Sequence, residues 1–124
     1  MKFQKELDIR FHEEGNRGEL LDDFIYLSEV LEDIIVVPKG FETDFASVPR
    51  ILWNILPPIG KYTKAAVIHD YLYAKGENLT RNKADAVFLE AMRDLDVWEV
   101  TRFSMWMGVR LGGWVPWIRY RKRK

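Results

Sequence analysis

The sequence predicts a single α+β domain, in which an N-terminal antiparallel meander of three strands precedes about four α-helices. Two patterns lead to this fold class. Near the N-terminus, apolar and polar residues alternate, which is the period of a half-buried strand. Beyond residue 60, apolar residues recur every three or four positions, as they do on one face of a helix. The 124 residues, 48% of them hydrophobic, are enough for one domain with its own core.

The three predicted strands lie within the first 38 residues. Residues 3–11 form the first strand, residues 20–27 the second and residues 30–38 the third. The third contains a run of β-branched side chains and ends at a proline, which cannot donate to a sheet. Residues 14–18 include two glycines and form a turn. Neighbouring strands with such short links favour antiparallel pairing.

Capping residues define the predicted helices. Ser47, with Pro49 close behind it, is typical of an N-cap that opens a short helix. Thr80 is a second N-cap, and Gly112 is a C-cap that ends the last helix. The four predicted helices cover residues 50–56, 65–73, 80–95 and 99–111. Residues 1–117 are thus predicted to form the domain and residues 118–124 a basic tail.

Composition excludes some classes of site. The chain has no cysteine, so disulfides and thiolate metal sites are absent. No apolar run approaches the 18 or so residues of a membrane span. The N-terminus enters a charged pattern directly, so we expect no signal peptide.

The predicted helix at 65–73 carries the residues with chemical potential. At about 100° per residue, His69, Asp70 and Tyr73 share one side of that helix. An imidazole beside a carboxylate and a phenol is typical of a general base or a metal site. Asp85 lies early in the next helix, and a short loop between antiparallel helices brings such residues together. The other interpretation is a buried polar pair with a structural role only.

A second group of polar residues precedes these helices. Thr43, Asp44, His69, Asp70 and Asp85 are expected to gather in one place. In that arrangement Asp85 or Asp44 orients the imidazole, and His69 deprotonates a water molecule. Arg50 and Arg81 are expected to brace the carboxylates through paired hydrogen bonds. Ser47 lacks the Gly-x-Ser-x-Gly context of many nucleophiles, so we predict a supporting role as a cap.

Three motifs carry a family resemblance. They are Phe41-x-Thr-Asp-x-Ala-Ser-Val-Pro-Arg50, Pro58-x-Gly60 and Ala66-Val-x-His-Asp-Tyr-Leu-Tyr73. Together they resemble an uncharacterised family of phage and prophage proteins, the domain-of-unknown-function family 1353. The resemblance implies a viral or prophage origin and a location in the host cytoplasm or the virion. It also implies a virion-, tail- or lysis-associated component with other phage structural proteins as partners, but no known activity.

The motif His69-Asp70-x-x-Tyr73 also resembles the helix of phospholipase A2 enzymes. This resemblance implies that His69 is the general base, Asp70 a calcium ligand and Tyr73 a hydrogen-bond donor. It further implies that Asp85 orients the base, and that the substrates are lipid or cell-envelope esters. The sequence departs from those enzymes because it lacks their glycine-rich calcium loop.

The C-terminal segment 114–124 combines aromatic residues with cations. Trp114, Trp117 and Tyr120 accompany five cations within the last six positions. This composition suits an anionic membrane surface, where indole rings lie among the headgroups. It also suits a nucleic-acid backbone, or simply a solvated tail.

Overall fold

The computed structural model describes residues 2–4, 6–12, 17–43, 63–75 and 79–112. Within them, short antiparallel strands precede helices, so the predicted α+β class is confirmed. The elements are β1 (Ile9–Phe11), β2 (Gly18–Leu20), β3 (Phe24–Ser28), β4 (Asp33–Val37), β5 (Glu42–Thr43), α1 (Thr63–Lys75), α2 (Arg81–Asp94) and α3 (Glu99–Gly112).

The strands are all paired antiparallel and are divided between two sheets. One sheet has the order β1-β2-β5, and the other is the hairpin β3-β4. The predicted antiparallel order is confirmed, since Phe3 and Ile9 pair with Tyr26 and Leu20 and β3 pairs with β4, but the predicted second strand is interrupted at residues 21–23 and so divides between the two sheets. There the Asp22 carboxylate accepts from the backbone N–H of Asp23, and the Asp23 carboxylate accepts from that of Lys39, both at 2.8 Å. These bonds turn the chain out of the first sheet and into the hairpin.

The turn of the β3-β4 hairpin is anchored to α2 by a buried carboxylate. Glu90 accepts from the Ser28 hydroxyl at 2.8 Å and from the backbone N–H of Glu29 at 2.7 Å. Glu32 takes a positive φ of 52° in the same turn, without a glycine to mark it in the sequence. The Glu90 carboxylate thus supplies acceptors for the backbone N–H groups that this tight turn leaves without a backbone partner.

The three helices complete the core. α1 is buried along most of its length and packs against α2, while α2 also packs against α3 and β3. Thr80 is the N-cap of α2, as predicted, and its hydroxyl accepts from the backbone N–H of Lys83 at 3.2 Å. Rings of Phe3, Phe24 and Tyr26 close the core on the sheet side.

The described residues contain three helices, one fewer than predicted. The predicted helix at 50–56 lies outside the described residues, and so does the predicted boundary between domain and tail at 117/118. Among the helices that the structure describes, none has the length and apolar character needed to span a membrane.

Candidate functional site

Asp85 is the centre of a buried polar cluster between the helices. Its carboxylate has no solvent exposure, and its Oδ1 lies 2.8 Å from His69 Nε2. The same oxygen accepts from the Tyr73 hydroxyl at 2.6 Å. His69 and Tyr73 are one helical turn apart on α1, so both reach the same atom on α2. The structure therefore brings together His69, Tyr73 and Asp85, three of the four residues to which the phospholipase A2 resemblance gives a role.

Two arginines complete the cluster from α2 and α3. Arg110 Nη1 donates to Asp85 Oδ2 at 2.9 Å. Arg81 Nε lies 3.9 Å from Asp85 Oδ2 and donates to the Tyr73 hydroxyl at 3.3 Å. Arg81 Nη2 also donates to the carbonyls of Val109 and Arg110 in the last turn of α3. The cluster thus ties α1, α2 and α3 together through side chains.

The second nitrogen of His69 has no hydrogen-bond partner among the described residues, although it is buried. Because Nε2 faces a carboxylate, we assign the proton of the neutral ring to Nε2. Nδ1 then carries the free lone pair, which accepts protons. The ring is fixed between Tyr73 and Phe88, with centroids 4.1 Å and 4.6 Å away.

The environment sets the protonation states of the two groups that contact His69. Burial alone raises the pKa of Asp85, but hydrogen bonds from His69 and Tyr73 and the charged Arg110 outweigh it, so the pKa is lowered. Burial and the bond to Asp85 raise the pKa of the Tyr73 hydroxyl. At neutral pH, Asp85 is therefore an anion and Tyr73 a neutral donor.

Asp70 makes a different connection. The Thr43 hydroxyl donates to its carboxylate, and both side chains are buried, so this bond joins β5 to α1. In the described parts of the chain, no group of three or more histidine, aspartate or glutamate residues is placed to hold a metal ion. Calcium takes six to eight oxygen ligands. In the described part of the chain, Asp70 therefore does not belong to a carboxylate cluster of the kind that supplies such ligands.

Three other predicted site residues, Asp44, Ser47 and Arg50, lie outside the described residues. Two contacts were not predicted from the sequence, those of Arg110 and Glu90. A basic residue in the last turn of a helix is common, so Arg110 gave no distinctive signal. Glu90 did give one, since it is a charged residue on the same buried face as Val87 and Ala91.

Comparison with known proteins covers His69, Tyr73, Arg81 and Asp85 of the cluster but gives no activity. The family described as "Protein of unknown function (DUF1353)" matches residues 18–109. The "Uncharacterized protein y4jT" of Sinorhizobium fredii (strain NBRC 101917 / NGR234) is 39% identical over 59 residues, which are 46% of this chain and 17% of that protein. The alignment thus spans less than a fifth of this relative. No solved structure gave a significant match.

Proposed function

The chain belongs to the family described as protein of unknown function DUF1353, and because that description assigns no activity, we propose from the site itself that the protein is a small hydrolase with His69 as general base. The observation that supports this proposal is the free lone pair on His69 Nδ1, opposite an Nε2 that faces the Asp85 carboxylate. A base needs one nitrogen free and the other held by an orienting group.

The proposed reaction is the hydrolysis of an ester of a lipid or cell-envelope component. His69 Nδ1 takes a proton from water while the water oxygen attacks the ester carbonyl. The imidazolium that forms is stabilised by Asp85, whose charge is held in place by Tyr73 and Arg110. The same proton then passes to the departing alkoxide, which leaves as an alcohol. No step requires a metal ion.

A second candidate function is architectural, as in a virion-, tail- or lysis-associated component of phage or prophage origin. The observation that favours it is the complete pairing of Asp85, whose two oxygens accept from three side chains while no part of it reaches solvent. In this function the cluster links the helices and performs no chemistry. Buried polar networks of this kind also specify a unique packing.

Chemical modification of histidine tests the hydrolase proposal. The chain has two histidines, and the variant His12→Gln leaves only His69. We expect this variant to hydrolyse an ester from a panel of phospholipids and nitrophenyl esters, assayed with and without calcium. Diethylpyrocarbonate should abolish that activity in step with modification of His69, and hydroxylamine should restore it. Activity that survives full modification of His69, or no hydrolysis of any ester, would contradict the proposal.

For a partner, we propose an anionic membrane surface contacted by α3 and the segment that follows it. Four exposed apolar residues lie at spacings of three and four along α3, a pattern here called the α3 stripe: Val100, Phe103, Met107 and Leu111. They form one apolar face. The aromatic and basic segment 114–124 follows α3 directly, so apolar and cationic groups occur together, as in interfacial helices.

Vesicle binding tests this partner. The protein should bind vesicles containing anionic lipid at low salt and be released as salt rises, since each cation near the surface contributes about 1 kcal/mol and salt screens it. Deleting residues 118–124 should weaken binding, and so should Phe103→Ser, since Phe103 is 43% exposed. The matched control is Phe11→Ser on β1, because Phe11 is 45% exposed. Competition by single-stranded DNA with no effect of Phe103→Ser would instead indicate a nucleic-acid partner.

A further inference from the structure

An open groove of about 500 Å³ lies between α2 and α3, beside the turn of the β3-β4 hairpin. This volume falls within the range of about 300–1,000 Å³ that is typical of small-molecule pockets. Apolar side chains form much of its wall, and two arginines lie along it. These residues are Val30, Ala86, Leu89, Trp106, Arg93 and Arg110.

The two guanidinium groups have donors to spare. A guanidinium carries five N–H donors, and the described contacts of the Arg110 side chain use Nη1 alone, toward Asp85. Arg93 is exposed, and its side chain makes no hydrogen bond or ion pair within the described residues. Two cations with unused donors along one apolar groove are an arrangement that complements an anion.

A carboxylate also lines the groove, but it is already paired. Glu90 accepts from the Ser28 hydroxyl and from the backbone N–H groups of Glu29 and Val30, and it is 4% exposed. The hydrogen bonds from the hairpin turn therefore already stabilise its charge. Asn82, near the start of α2, adds a side-chain amide to the lining.

We propose that this groove binds an organic anion that has one carboxylate or phosphate head and an apolar body. The head pairs with Arg93 and Arg110, where charge-assisted hydrogen bonds to a guanidinium are strongest. The body lies along Ala86, Leu89 and Trp106, where its apolar surface leaves water. This function is additional to the proposed hydrolysis and holds whether or not His69 is catalytic.

The groove and the buried cluster share one side chain. Arg110 lines the groove and also donates to Asp85, which in turn faces His69 Nε2. An anion that binds Arg110 therefore pairs with the same guanidinium that donates to Asp85. Occupation of the groove should change the environment of the His69 ring without contacting it.

Calorimetric titration with octanoate and with octyl phosphate tests the proposal, and the two probes show which head is preferred. Both should bind one to one, while octanol, which has the same chain without the charge, should bind at least tenfold more weakly. Arg93→Gln should weaken binding by about tenfold, the loss of one charge-assisted contact. The matched control Arg17→Gln removes an exposed arginine on the sheet side and should leave affinity unchanged. The NMR signals of the His69 ring should shift as octanoate is added.

Several results would overturn the proposal. Equal binding of octanol, or full affinity in Arg93→Gln, would show that no head-group site exists in the groove. Loss of binding in Phe103→Ser would place the probe on the α3 stripe instead. An unchanged NMR spectrum of the His69 ring at saturation would show that Arg110 does not bind the probe. None of these measurements depends on hydrolytic activity, so they stand apart from the test of His69.

Discussion

Replacing Asp85 by asparagine is expected to lower the free energy of unfolding by about 1–3 kcal/mol, since a buried carboxylate that accepts from three side chains is replaced by a group that can accept from fewer. The substitution also removes the charge that faces Arg110, whose Nη1 donates to Asp85 Oδ2 and whose side chain is 30% exposed. An asparagine side chain has nearly the same shape but only one oxygen acceptor. Its amide N–H groups would face donors from His69, Tyr73 or Arg110. Urea unfolding of the two proteins at neutral pH measures the difference.

The control for this substitution is Asp8→Asn, which makes the same chemical change at an exposed position. A surface change of this kind should alter stability by no more than about 0.5 kcal/mol. If Asp85→Asn were as mild as Asp8→Asn, the carboxylate would not be the group that holds the three helices together. Asp85 could then be neither the group that orients His69 in catalysis nor the structural link of the architectural function.

The same pair of proteins should show a pH dependence of defined sign. The pKa of Asp85 is lowered in the folded protein, whereas an aspartate in the unfolded chain has a pKa of about 3.9. The stabilisation that comes from ionised Asp85 is therefore fully present above about pH 5, and it is lost as pH falls through about 4 toward the lower, folded pKa. The stability difference between wild type and Asp85→Asn should narrow over this acid range. Unfolding curves from pH 7 to pH 3 measure it.

The helical half of the fold was predictable because its signals are local. Thr80 fixes the start of α2, and the helical period then places Asp85 within its first two turns. The same period puts His69 and Tyr73 on one side of α1. A short connection between antiparallel helices then brings the two faces together, so the approach of His69 to Asp85 follows from the helix caps and the residue spacing.

The arrangement of the strands depends on contacts that are distant in sequence. Gly18 of β2 pairs with Thr43 of β5, a partner that alternation of apolar residues cannot identify. A β-carbon at Gly18 would lie 3.1 Å from the Ile9 side chain, so a residue expected only to serve a turn permits close strand packing. Arg110 was missed for the same reason, since its partner Asp85 lies on another helix. Tertiary pairing selects among residues that look alike in the sequence.

The variant His69→Gln is expected to lower the rate of ester hydrolysis by about 10²–10⁴-fold, the usual contribution of a general base. A glutamine places an amide N–H2 near the position of Nε2, so the bond to Asp85 is kept. It has no basic atom at the position of Nδ1. The free energy of unfolding should therefore change by only about 1 kcal/mol. Initial rates on the best ester, with urea unfolding of the same preparation, measure the two effects.

The variant His69→Ala separates the catalytic from the architectural function when it is compared with His69→Gln. Alanine removes the donor to Asp85 and leaves a cavity beside Phe88, so it should cost about 3 kcal/mol of stability. A catalytic His69 makes both variants inactive while only His69→Ala is destabilised. In an architectural site, stability still distinguishes the two variants, but no rate depends on residue 69. Wild-type rates in His69→Gln would therefore end the general-base proposal and leave Asp85 as the structural link between the helices.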